Sequence, residues 1–149
     1  MPGRLRKYPS QAEPPSPRRG GTVAEFPTTL AAARAAREHG LLVVAGAPNL
    51  VRGGSHAGNV SASELIAHGL ADVLASDYLP QTMLAAIAVL TRSGLADLPA
   101  ATALVTSGPA AVAGLTDRGA LAPGLRASMV LVDGLSGWPR VRAVLDPAA

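Results

Sequence analysis

From Thr22 onward, short apolar runs alternate with alanine-rich stretches, a pattern that predicts βα units around a parallel sheet. Thr22-Val23-Ala24-Glu25-Phe26 reads as a strand. Thr28 to His39 follows as a helix, opened by Pro27 and threonine and closed by Gly40 in a left-handed cap. Leu41 to Ala45 is a continuous apolar run of the kind a strand buried on both faces requires. Gly46 to Asn59 is expected to be a long loop, and a helix from Ser61 to His68 ends before Gly69. Asp72 to Ser76 gives a third strand that terminates at Asp77. Helices are expected at Pro80 to Thr91 and Leu98 to Thr106, and two short β candidates lie at Met129 to Val132 and Val141 to Leu145. The reading is an α/β chain with three consecutive βα units over residues 22–114 and a β-rich segment over 115–149.

The first 21 residues break this pattern. They hold five of the 13 prolines and almost nothing that packs, so they read as a disordered tail. They lack the apolar stretch of about 7 to 15 residues that a secretory leader needs. No later apolar run reaches about 18 residues without a charge or turn signal, so no membrane span is expected.

Length and composition narrow the classes further. At 149 residues the chain is shorter than a complete eight-unit βα barrel, which needs at least about 200. Hydrophobic residues make up 48% and charged residues 15%, the balance of a globular chain. The absence of cysteine excludes disulfides, thiolate metal sites and cysteine nucleophiles, and makes a cytoplasmic setting the default. The net charge of +3 suggests an anionic partner until its distribution is read. The first 21 residues carry a balance of +4, which leaves the rest at −1. With only 3% aromatic residues, no base-stacking surface is expected, and nucleic acid is not a predicted partner.

Candidate chemistry concentrates in Gly46 to Asn59, which follows a buried strand and precedes a helix, at the carboxyl edge where parallel α/β sheets bind ligands. Three motifs fail there. Gly53 and Gly58 have P-loop spacing, but Asn59 and Val60 replace the lysine and hydroxyl residue; Ala57 breaks a nucleophile elbow around Ser55; and no G-x-G pair opens the loop. What remains is a glycine backbone able to present amide groups, joined to Arg52, Ser55, His56 and Asn59. Arginine suits bidentate phosphate recognition, so a phosphate-binding loop stands against a long surface loop with ordinary polar decoration. Asp77 at a strand end suits a metal ligand or general base, or equally a helix N-cap. Glu25 lies in an apolar segment, where burial would demand a partner or a polar site. His39 and His68 each precede a glycine at a helix end and read as caps, leaving His56 as the histidine with a site role.

Glu25-Phe26-Pro27-Thr28-Thr29, Gly46-Ala47-Pro48-Asn49, Arg52-Gly53-Gly54-Ser55-His56 with Gly58-Asn59, and Ser76-Asp77-Tyr78 together resemble the carboxyl-terminal part of the alpha-D-ribose 1-methylphosphonate 5-triphosphate diphosphatase family. That family serves the carbon-phosphorus lyase pathway of phosphonate metabolism and belongs to the amidohydrolase superfamily. The similarity runs from about Thr22 to Leu145. It implies the last three βα units of a partial TIM-type barrel, followed by part of a small β subdomain. It also implies release of pyrophosphate from a phosphorylated sugar phosphonate, with Arg52, Ser55, His56 and Asn59 on phosphate oxygens. Asp77 would be catalytic and a ligand of a divalent metal such as zinc, with Glu25 and His56 as further candidate ligands. Ser128 and Gly108 stand where the family usually has aspartate and asparagine. The family's histidine-rich metal motif has no counterpart here, and residues 1–21 resemble no part of it. The expectation is therefore a truncated barrel that cannot by itself assemble a normal metal centre and is inactive alone. Two other readings stay open: half of a split enzyme completed by a partner chain, or a non-catalytic phosphate-binding or association module. Unpaired barrel edges predict self-association.

Overall fold

A computed structural model describes residues 21–55 and 58–146. The tail expectation for residues 1–21 lies, but for Gly21, outside the described residues, as does the placement of His56.

Three parallel strands are built where the apolar runs predict them: β1 (Val23–Glu25), β2 (Leu42–Gly46) and β3 (Val73–Ala75), in the order β1-β2-β3. Val23 pairs with Leu42 and Val44 with Val73, which leaves β2 in the middle. Its Val43, Val44 and Ala45 are all buried, the condition under which a strand tolerates an unbroken apolar run. This mixed α/β arrangement is compatible with a partial β/α fold.

Helix α1 (Leu30–Glu38) crosses from β1 to β2 and buries Ala33 and Ala36. Thr29 caps it, its Oγ1 accepting the Ala32 N–H at 3.1 Å. His39 closes the other end, with Nδ1 2.7 Å from the Ala35 carbonyl oxygen, as expected of a capping histidine. At the amino end of β3, Asp72 accepts the Val43 N–H at 2.8 Å and also pairs with Arg37 of α1. This carboxylate therefore ties β2, β3 and α1 together.

Between β2 and β3 the structure departs from the expected loop. Ala47–Arg52 forms a helix, α2, before α3 (Ala62–Ala67) completes the crossover. Pro48 sits in the first turn of α2, where its missing N–H costs nothing, and Gly53 ends it in the left-handed conformation at φ 82°. Burial of Ala47, Pro48 and Leu50 holds this short helix in place. Ser61 caps α3 through the Glu64 N–H, and His68 closes it.

Helix α4 (Thr82–Ser93) packs beside α2 and supplies Ala86, Ile87 and Leu90 to the main core, with Leu50, Leu65 and Leu74. Helix α5 (Leu98–Ala103) is capped by Asp97. A further helix, α6 (Ser107–Val112), was not expected from the sequence. Gly108 lets it approach β3: a Cβ there would lie 2.3 Å from the Asp72 carbonyl oxygen. The two β candidates form an antiparallel hairpin, β4 (Met129–Asp133) with β5 (Arg140–Leu145), irregular between Leu131 and Val132. Leu135 packs on the main core, and Arg92 donates to the Gly137 carbonyl at 3.2 Å. Among the described residues, no helix is long and apolar enough to cross a membrane.

Candidate functional site

The carboxyl ends of all three strands open into one cleft of about 230 Å³. Phe26 follows β1 on its wall, Ala45 and Gly46 end β2, and Asp77 and Tyr78 follow β3. The segment from α2 to α3 supplies the remaining polar lining: Asn49, Arg52, Ser55 and Asn59. Four predicted site residues, Arg52, Ser55, Asn59 and Asp77, are thus brought together although they come from separate stretches of chain.

Arg52 lies in the last turn of α2, and its guanidinium carbon stands 5.3 Å from the centre of the Tyr78 ring, within cation–π range. Asn49 on the same helix accepts the Ala62 N–H at 2.8 Å, which locks α2 to the start of α3. Val60 donates to the Thr28 carbonyl at 3.0 Å and pins the returning chain beside β1. These two bonds hold the polar wall against the sheet edge.

Asp77 is not a helix cap. Helix α4 begins five residues later, with Gln81 at its N-cap position and no side-chain capping bond. Asp77 instead occupies a tight turn closed by the Leu79 N–H on the Ser76 carbonyl at 3.0 Å. Its φ is 49°, and that of Phe26 is 52°; no other described non-glycine residues adopt positive φ. Phe26 follows β1 directly, Asp77 lies two residues beyond β3, and both line the cleft. Left-handed backbone is costly for a bulky residue such as Phe26 and easier for an aspartate, and strain of the first kind concentrates at functional sites.

Two expectations are corrected. Glu25 is exposed and does not line the cleft, so burial imposes no partner on it. The glycine amides expected to face a ligand are already used in part: Gly53 donates to the Leu50 carbonyl at 3.2 Å and Gly54 to that of Asn49 at 3.1 Å, closing α2. The side chains of Asn49, Arg52, Ser55, Asn59 and Asp77 line the cleft. The sequence reading also missed Tyr78, Phe26 and Asn49 as parts of the wall. The signal available was their place within the same quoted motifs, at strand ends and helix starts.

For a metal, the donor set does not fit. Among the described residues no group of three histidine, aspartate or glutamate side chains converges on one point, and Asp77 is the one carboxylate in the cleft lining. A hydrolytic metal site takes at least three protein ligands.

No family model matched the chain, and no solved structure matched it. A curated relative did: the chain is 54% identical over 114 residues to the alpha-D-ribose 1-methylphosphonate 5-triphosphate diphosphatase of Escherichia coli (strain K12). The match covers 75% of this chain and 30% of that protein, so the chain spans about a third of the length of its relative.

Proposed function

This chain is a sequence relative of alpha-D-ribose 1-methylphosphonate 5-triphosphate diphosphatase, and from that premise we propose that it forms the phosphate-binding side of a hydrolase of phosphonate metabolism. The observation that carries the reading is the cleft itself, where Arg52, Ser55 and Asn59 face the same opening as Asp77. In this reading the three parallel strands are consecutive staves of an amidohydrolase-type βα barrel, and the working compartment is the cytoplasm. The lack of cysteine is compatible with such a reducing setting.

Arg52 offers a planar fork that matches two phosphoryl oxygens at once, and charge-assisted bonds of this type are about twice as strong as neutral ones. Ser55 and Asn59 add neutral donors beside it. His56, between them in sequence, completes this set for the phosphoryl or phosphonate oxygens of a phosphorylated sugar phosphonate. In a complete hydrolase of this kind, Asp77 is the proton acceptor: as water adds to phosphorus and the anhydride bond to pyrophosphate breaks, the carboxylate takes the water proton. The described side chains do not supply the ligands of a hydrolytic metal. Substrate binding without turnover is therefore expected of this chain alone.

Titration calorimetry with inorganic pyrophosphate and with ribose 5-phosphate tests the reading. Binding that weakens about tenfold or more in Arg52→Gln is expected, given the loss of a bidentate charged contact. A chain that binds neither compound refutes it. Pyrophosphate release at an enzyme-like, metal-dependent rate that Asp77→Asn abolishes would refute the absence of turnover.

A further inference from the structure

We propose that Tyr78 is a positioning residue of the cleft, whose ring holds the Arg52 guanidinium where it meets a phosphoryl group. The inference rests on the phosphate reading of the cleft. It is carried by a juxtaposition that packing does not explain. Tyr78 is 57% exposed, so its ring contributes little to the core. The turn that presents it places Asp77 at φ 49°, in the left-handed region that few residues other than glycine, asparagine and aspartate adopt. That turn delivers the ring to 5.3 Å from the arginine carbon, at the mouth of the same cleft.

The chemistry follows from the shape of the two groups. An arginine side chain has several rotatable bonds, and a ligand that must order it first binds less tightly. A ring 5.3 Å from the guanidinium carbon attracts the cation and so restricts where the arginine swings, while the N–H donors that recognise an anion lie along the guanidinium edge. The ligand class this arrangement takes is an anionic phosphoryl or phosphonate group.

Two readouts on the full chain test the proposal. By NMR, the Arg52 side-chain protons should show an upfield ring-current shift that Tyr78→Phe keeps and Tyr78→Leu removes. By calorimetry with inorganic pyrophosphate, Tyr78→Leu should weaken binding about three- to fivefold and Tyr78→Phe by less than about twofold, the range of an exposed cation–π contact. In the Arg52→Gln background, Tyr78→Leu should have no further effect, because the coupling partner is gone. A thermal melt unchanged in Tyr78→Leu confirms that the fold is spared. Absence of the shift, or an equal loss of affinity in the Arg52→Gln background, overturns the proposal. If the unmutated chain binds no pyrophosphate while the shift persists, the phosphate reading is overturned and the hold of Tyr78 on Arg52 is confirmed.

Discussion

Asp72 and Asp146 show how much depends on what a carboxylate touches. Asp72 accepts the Val43 N–H and pairs with Arg37, and its side chain is 21% exposed against 42% for the arginine. Removing it strands a backbone amide beside the sheet, so Asp72→Ala should destabilise the chain by about 1–3 kcal/mol. Arg37→Ala removes a half-exposed ion pair and should cost less than about 1 kcal/mol. Urea unfolding of both variants checks this, and equal losses would show that the amide bond carries nothing extra. Asp146 lies on the surface, where Ser128 Oγ at 2.8 Å and Arg126 Nη2 at 2.9 Å bond its carboxylate. The Ser128 bond, then the Arg126 bond, hold its pKa below the ordinary carboxylate range. Because the folded value is the lower one, this stabilisation is complete above the ordinary carboxylate range. It is lost as pH falls through that range to the folded value. Carbon-13 NMR should show the Asp146 midpoint rising towards the ordinary range in Ser128→Ala. Ser128, which departs from the aspartate usual in the resembling family, thus donates where an aspartate would repel.

At the scale of elements, legibility followed capping. The sequence predicts helix α1 over Thr28 to His39, two residues early at its start, and marks both ends because Thr29 and Gly40 carry cap chemistry that depends on neighbouring residues alone. Helices α2 and α6 escaped the reading for one reason. Each has six residues, as do α3 and α5, but in α2 and α6 a proline lies within two residues of a glycine, a combination that signals a turn. In both, the proline falls within the first turn, where helix geometry asks no N–H of it. What holds α6 is its close seat on β3, made by Gly108. Gly108→Ala should therefore force the two apart and destabilise the chain by about 1–3 kcal/mol, measured by thermal denaturation. An unchanged melt would show that α6 shifts freely.

Across the whole molecule, the described sheet has two unequal edges. On β3, the Leu74 N–H donates to the Leu104 carbonyl at 2.8 Å, which blunts that side, whereas β1 pairs only with β2 among the described residues. The hairpin adds exposed apolar surface: Val130 and Val144 are paired across it, and Leu131, Leu145 and Trp138 are also exposed. Open edges and contiguous apolar patches promote association. Gel filtration with light scattering should find oligomers, and Val130→Lys with Val144→Lys should move the population towards monomer. A stable, compact monomer of the unmutated chain would contradict the expectation.

The order of the five strands and of helices α1, α3, α4 and α5, and the caps at Thr29, Ser61 and Asp97, were determined by the sequence alone, since each depends on signals within a few residues. The motifs also contain Arg52, Ser55, Asn59 and Asp77, all of which line the cleft. Only the tertiary structure decided that Gly46 to Asn59 contains a helix, that Glu25 stays outside the cleft, and that the Gly53 and Gly54 amides close α2. It also decided that Tyr78 meets Arg52. These outcomes depend on burial against α4 and on the left-handed turn at Asp77, which join segments far apart in the chain. Pattern reading sees the period of one segment, while packing selects which side chains from different segments share a wall.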